Sequence, residues 1–148
     1  MNSVARRLLT AKQMNAQQLR DRSKRFAIDI VLLCRALPAD WVTRTLGGQL
    51  LRSGTSVAAN YRAACRGRSA KEFCAKLGVA AEESDESILW LELLAVGTSS
   101  VRGKNYEILL READELTAIL SASHKTARTN LQKEKRDKRK ANLQSRNH

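Results

Sequence analysis

One proline and seven glycines in 148 residues leave this chain little material for tight turns, and aromatic residues make up only 4% of it. That shortage argues against a fold of many short strands joined by hairpins. Histidine occurs twice, as His124 and His148, so the paired imidazoles on which hydrolytic ribonucleases often rely are missing. The Glu-x-x-His pairs of a di-iron bundle are absent as well. No glycine-rich loop is laid out to cradle phosphates, and no Ser/His or Cys/His arrangement has believable spacing. The three cysteines, Cys34, Cys65 and Cys74, are odd in number and lack metal-ligand spacing. They are read as reduced thiols serving as small apolar side chains, which suits a cytoplasmic protein. No apolar run approaches the ~18 residues of a membrane span. The expectation is a protein without catalytic residues, cofactor or metal.

What the chain does have is charge, with 27 Lys/Arg against 15 Asp/Glu and a net charge of +12. Its placement matters more than its sum. Residues 1–25 carry +6 and residues 124–148 carry +7, while the stretch between them is close to neutral. That middle is itself split, +6 over residues 35–76 and −6 over residues 82–115. The length suits one domain with a single core. Ala, Leu, Glu, Lys and Arg dominate, which favours helices.

Apolar periodicity places four helices. The first, starting near Ala16 or Ser23, carries Phe26, Ile30, Leu33 and Leu37 at helical spacing and is stopped by Pro38. The second starts after Asp40, an N-cap candidate, and runs to about Arg66, with Gly67 following it. The third opens on Ser69-Ala-Lys-Glu72, a capping-box pattern, and reaches about Val96. The fourth runs from about Asn105 to Arg128, with Glu107–Arg111 and Arg111–Glu115 spaced as i,i+4 ion pairs. Short connections between long amphipathic helices predict an all-α, antiparallel up-and-down four-helix bundle over residues 23–128. Residues 1–22 are expected to form a basic N-terminal arm, and residues 129–148 a basic C-terminal tail that is disordered or frays outward from the fourth helix.

The stretch LLRSGTSVAANYRAA, residues 50–64, tests the second helix. At about 100° per residue, Val42, Leu46, Leu50, Val57, Tyr61 and Ala64 share one stripe, and Arg44, Arg52, Arg62 and Arg66 share another. Both stripes pass through Gly54-Thr55-Ser56 in phase, so the helix is continuous. Gly54 would let a neighbouring helix approach, while Ser53 and Asn60 fall on the buried side and need partners. Asp85 is the candidate partner for Asn60 or Tyr61. The run ILWLELLAV, residues 88–96, is apolar nearly all round, which predicts a subunit interface through Leu89, Trp90 and Leu93.

LGGQLLRSGTSVAANYRAA (46–64), KLGVAAEESDESILWLELL (76–94) and LLREADELTAILSASHKTAR (109–128) resemble the hallmark blocks of the four helix bundle protein family, also called the 23S rRNA-intervening-sequence protein family. The resemblance implies the same bundle and, for several relatives, a homo-oligomeric, pentameric ring with a basic surface. A related branch is similar to the accessory protein of diversity-generating retroelements, implying a reverse transcriptase and its template RNA as alternative partners.

Arginine forks suit phosphates. Arg44, Arg52, Arg62 and Arg66, extended by Arg68 and Lys71, are therefore candidates for binding a nucleic-acid backbone, RNA favoured. The alternative is that this stripe pairs with the acidic third and fourth helices. The ends have no such counter-charge, so Arg6 and Arg7 at one end join Lys133, Lys135, Arg136, Lys138, Arg139 and Lys140 at the other. No membrane is expected as partner, because the tail has no apolar face.

Overall fold

The computed structural model describes residues 14–145, and within them four helices and one short 3₁₀ turn occur and no strand. We number the helices α1 (Ala16–Arg35), α2 (Trp41–Cys65), α3 (Ala70–Gly97) and α4 (Lys104–Ser145), with the 3₁₀ turn at Ser99–Val101 before α4. Each start has a local cause. Asn15 and Gln18 exchange backbone N–H bonds at 2.9 Å each, a reciprocal box that opens α1 seven residues before Ser23, inside the expected N-terminal arm. Asp40 Oδ1 accepts from the Thr43 N–H at 2.9 Å and opens α2. Ser69 Oγ accepts from the Glu72 N–H at 3.1 Å, but the Glu72 carboxylate takes the Arg68 N–H at 3.0 Å instead of that of Ser69. The box is thus displaced by one residue on its return bond.

The helices close over one core. Phe26 and Ile30 of α1, Leu50 and Val57 of α2, Leu77 and Leu91 of α3, and Leu116 and Leu120 of α4 are wholly enclosed. Each such side chain stabilises the fold by roughly 1.5–3 kcal/mol. The helix α2 does run unbroken through Gly54, as its two stripes require. A Cβ on Gly54 would lie 2.8 Å from Ile30 Cδ1, so the missing side chain sets the approach of α1 to α2.

Within this core lies a layer of hydroxyls. Ser87 Oγ of α3 donates to Ser53 Oγ of α2 at 2.9 Å and also lies 2.8 Å from the Glu83 carbonyl oxygen. One turn away, Thr117 Oγ1 of α4 donates to Ser84 Oγ at 2.8 Å, beside the Ala113 carbonyl oxygen. The helix α3 is therefore pinned by a hydroxyl pair to each neighbour. Asn60 donates to the Ser56 carbonyl and hydroxyl oxygens at 3.0 and 2.9 Å, and Tyr61 is buried beside Cys65. Asp85 serves neither, contrary to expectation: it lines a cleft between α3 and α4, and its side chain is exposed.

The helices α1 and α4 touch over a much shorter length than the other adjacent pairs. Arg22 spans that seam. Its guanidinium grips Glu112 at 2.6 and 2.8 Å and reaches Glu115 as well. These carboxylates, Glu112 foremost, hold Arg22 yet further above its ordinary pKa. Glu115 is thereby drawn away from Arg111, whose Nε points at the Glu107 carbonyl oxygen at 3.4 Å, so the expected i,i+4 pairs give way to the interhelical one. Cys34, Cys65 and Cys74 are free thiols. Burial pushes the Cys34 thiol up to about 11.

Candidate nucleic-acid interface

The arginine stripe of α2 lies on the surface, with Arg44, Arg52, Arg62 and Arg66 all exposed. Its members differ in what they meet. Arg52 Nη1 donates to both oxygens of Glu83 at 3.2 and 3.1 Å, and its Nη2 meets Glu86. Glu86 sits below the usual carboxylate range because the Trp90 indole N–H donates to it at 2.9 Å and because Arg52 is beside it. The alternative reading of the stripe, pairing with acidic α3, therefore holds at Arg52. Arg44 donates to the Ala39 carbonyl oxygen at 3.0 Å. Arg62, Arg66, Arg68 and Lys71 are exposed, and their side chains make no ion pair among the described residues. Arg6 and Arg7 lie outside the described residues.

Of the three interface candidates, Leu89 and Leu93 are 47% and 38% exposed, whereas Trp90 is half-buried and packs against the core. The indole packs inward while its N–H donates to Glu86 one turn earlier at 2.9 Å.

The larger departure from the sequence reading is at the C-terminal side. The stretch 129–145 is not a disordered tail: α4 continues unbroken to Ser145. Every residue from Gln132 to Ser145 is exposed, so this end of α4 forms a spur about 21 Å long that rises from the folded core. Its helicity has a physical source. The packed part of α4 already supplies the nucleus, so each added residue gains a backbone bond, and Glu134–Lys138 and Lys133–Asp137 have i,i+4 spacing.

Once the spur is helical, its cations acquire a phase. Lys125, Arg128, Lys135, Arg136, Arg139 and Lys140 fall within an arc of about 140°, with Lys133 at its border. Lys138 falls on the other side with Glu134 and Asp137. Lys125 and Arg128 were missed by sequence reasoning because residues beyond Arg128 were treated as unstructured. The half-buried Leu131, one turn after the core-packed Ala127, is the signal that the helix goes on.

At the root of the spur, α3 and α4 diverge around a cleft of about 680 Å³. Glu82 and Asp85 line its α3 side, while Ser121, His124, Lys125 and Arg128 line its α4 side. A Cβ on Gly78 would lie 2.9 Å from His124 Nε2, so the missing side chain makes room for the imidazole. His124 is accordingly a mid-helix residue that lines the cleft. Among the described residues no group of His, Cys, Asp and Glu side chains is placed to hold a metal ion, and no helix is long and apolar enough to cross a membrane.

A four-helix, all-α protein with one long terminal helix is the class that these features define. The chain belongs to the 23S rRNA-intervening sequence protein family, whose model matches residues 15–122. Residues from 123 onward, the spur included, lie outside that match. A solved structure from Bacteroides thetaiotaomicron, a protein of unknown function from the S23 ribosomal protein family, is 34% identical with a TM-score of 0.67. The alignment covers 76% of this chain and 99% of that one. No curated protein matches the chain.

Proposed function

We propose that this protein is a non-enzymatic, cytoplasmic, homo-oligomeric scaffold that binds a nucleic-acid backbone, RNA favoured, without a cofactor. The observation that carries the reading is the spur: a solvated helix with its cations gathered on one face and no acidic helix alongside to neutralise them. Arg62, Arg66, Arg68 and Lys71 extend the cationic surface, whereas Arg52 is committed to Glu83 and Glu86. Few aromatic side chains are exposed, so contacts to phosphate dominate over base readout. With ~6–10 phosphate contacts, affinity falls ~10³–10⁵-fold between 50 and 200 mM salt. Fluorescence anisotropy with labelled RNA across that range is the test, and a flat salt response overturns the reading.

The bundle is read as antiparallel, which the Gly78–His124 and Ser84–Thr117 neighbours support. Its assembly is proposed through the outer face of α3, where the exposed Leu89, Leu93 and Val96 recur at four- and three-residue spacing. Val96 is 80% exposed and nearby Trp41 77%, an apolar surface that a lone subunit leaves uncovered. The pentameric ring implied by the family resemblance is the expected count. Light scattering on L89E/L93E should report a smaller species than the native chain.

A further inference from the structure

We infer that the cleft at the root of the spur receives one unstacked guanine of a single-stranded nucleic acid whose phosphates run along the spur. The inference rests on the backbone-binding reading and adds a base preference to it. Its ground is a set of polar side chains that share one cleft and leave one another alone. Glu82, Asp85, Ser121, His124, Lys125 and Arg128 all line it, yet none makes a hydrogen bond or ion pair among the described residues. Elsewhere this protein pairs such groups readily, as Arg22 does with Glu112 and Arg52 with Glu83.

The two walls differ in chemistry. Carboxylates on the α3 wall can only accept hydrogen bonds, whereas Lys125 and Arg128 on the α4 wall can only donate them. A ligand that satisfies both walls needs an anionic group at one end and adjacent N–H donors at the other. A nucleotide has this polarity. Among the common bases, guanine offers two neighbouring donors on its Watson–Crick edge, N1–H and the N2 amine, which match a carboxylate fork. Adenine and cytosine set one donor beside an acceptor, and uracil flanks its donor with acceptors, so each turns lone pairs toward Glu82 and Asp85. The imidazole of His124, seated over Gly78, supplies a planar ring on which a base can stack. A volume of about 680 Å³ accommodates one nucleotide but no duplex. The cleft also opens onto the spur's cationic face, since Lys125 and Arg128 belong to both.

The test uses the full chain and fluorescein-labelled twelve-nucleotide oligouridylates that carry one central guanosine, inosine or adenosine. Guanosine should bind about tenfold more tightly than adenosine, equivalent to about 1.4 kcal/mol. Inosine, which lacks the N2 amine, should fall between them. E82Q/D85N, at two exposed positions away from the core, should erase the guanosine preference. It should leave the melting temperature in place. K135Q/R136Q/R139Q/K140Q should weaken all three oligonucleotides alike and keep their ratio. Equal affinities for guanosine and adenosine, or a preference that survives E82Q/D85N, overturn the inference while leaving backbone binding intact. Absence of salt-dependent binding to any of the three overturns both.

Discussion

Neutralising the spur should change how salt acts on binding more than it changes anything else. The perturbation is K135Q/R136Q/R139Q/K140Q, four cations on one face of a helix segment that touches no other element. If each meets one phosphate, the slope of log affinity against log salt becomes shallower by about 2.8 on single-stranded RNA. Between 50 and 200 mM salt the native chain should then lose about fifty-fold more affinity than the variant. Thermal melting should not move, since no spur side chain reaches the core. The control is R52Q, which also deletes a surface arginine, but one already paired with Glu83 and Glu86. Its salt slope should match that of the native chain. Anisotropy at three or more salt concentrations measures both variants. If the spur variant keeps the native slope, or R52Q flattens it equally, then phosphates are not held where the helix phase places them.

Two further outcomes concern stability. R22Q breaks the bidentate grip on Glu112 across the α1–α4 seam and should cost about 1.5 kcal/mol, seen as a melt lowered by roughly 3–6 °C. D40A should lower the melting temperature at neutral pH. The Thr43 backbone N–H holds the Asp40 carboxyl below its usual pKa. Its contribution is therefore present above the ordinary carboxylate range and fades as pH falls through the lowered pKa. The gap between D40A and the native chain should close on acidification; a gap that widens in acid refutes the cap.

Most of the fold was legible because its signals are local. Pro38, Asp40 and Ser69 mark helix ends by backbone chemistry, and the apolar stripe through Gly54 needs only a helical period. The α1–α4 bridge was not legible, because Arg22 and Glu112 are far apart in the chain and Arg111 offered a nearer partner in sequence. The same holds for the serine layer: Ser53 was placed on the buried side, but naming Ser87 as its partner requires knowing how α2 and α3 are registered. The spur was misread through composition. Residues 132–145 have almost no apolar side chain, which resembles a solvated coil unless the packed helix before them is taken into account. The cleft was not legible either, since Asp85 and His124 come to line one space only when α3 and α4 are laid side by side.

The hydroxyl pairs on Ser84 and Ser87 have a mechanical consequence. A slide of α3 by one turn, about 5.4 Å, would leave Ser53, Ser84, Ser87 and Thr117 without these mates in an apolar interior, where each stranded hydroxyl costs about 1–3 kcal/mol. Apolar side chains alone tolerate such a shift far better, since one leucine can replace another in the same groove. The layer therefore acts as a ratchet stop along the helix axes. It fixes how far the long helix projects from the core and sets the register between the cleft's carboxylates on α3 and its cations on α4.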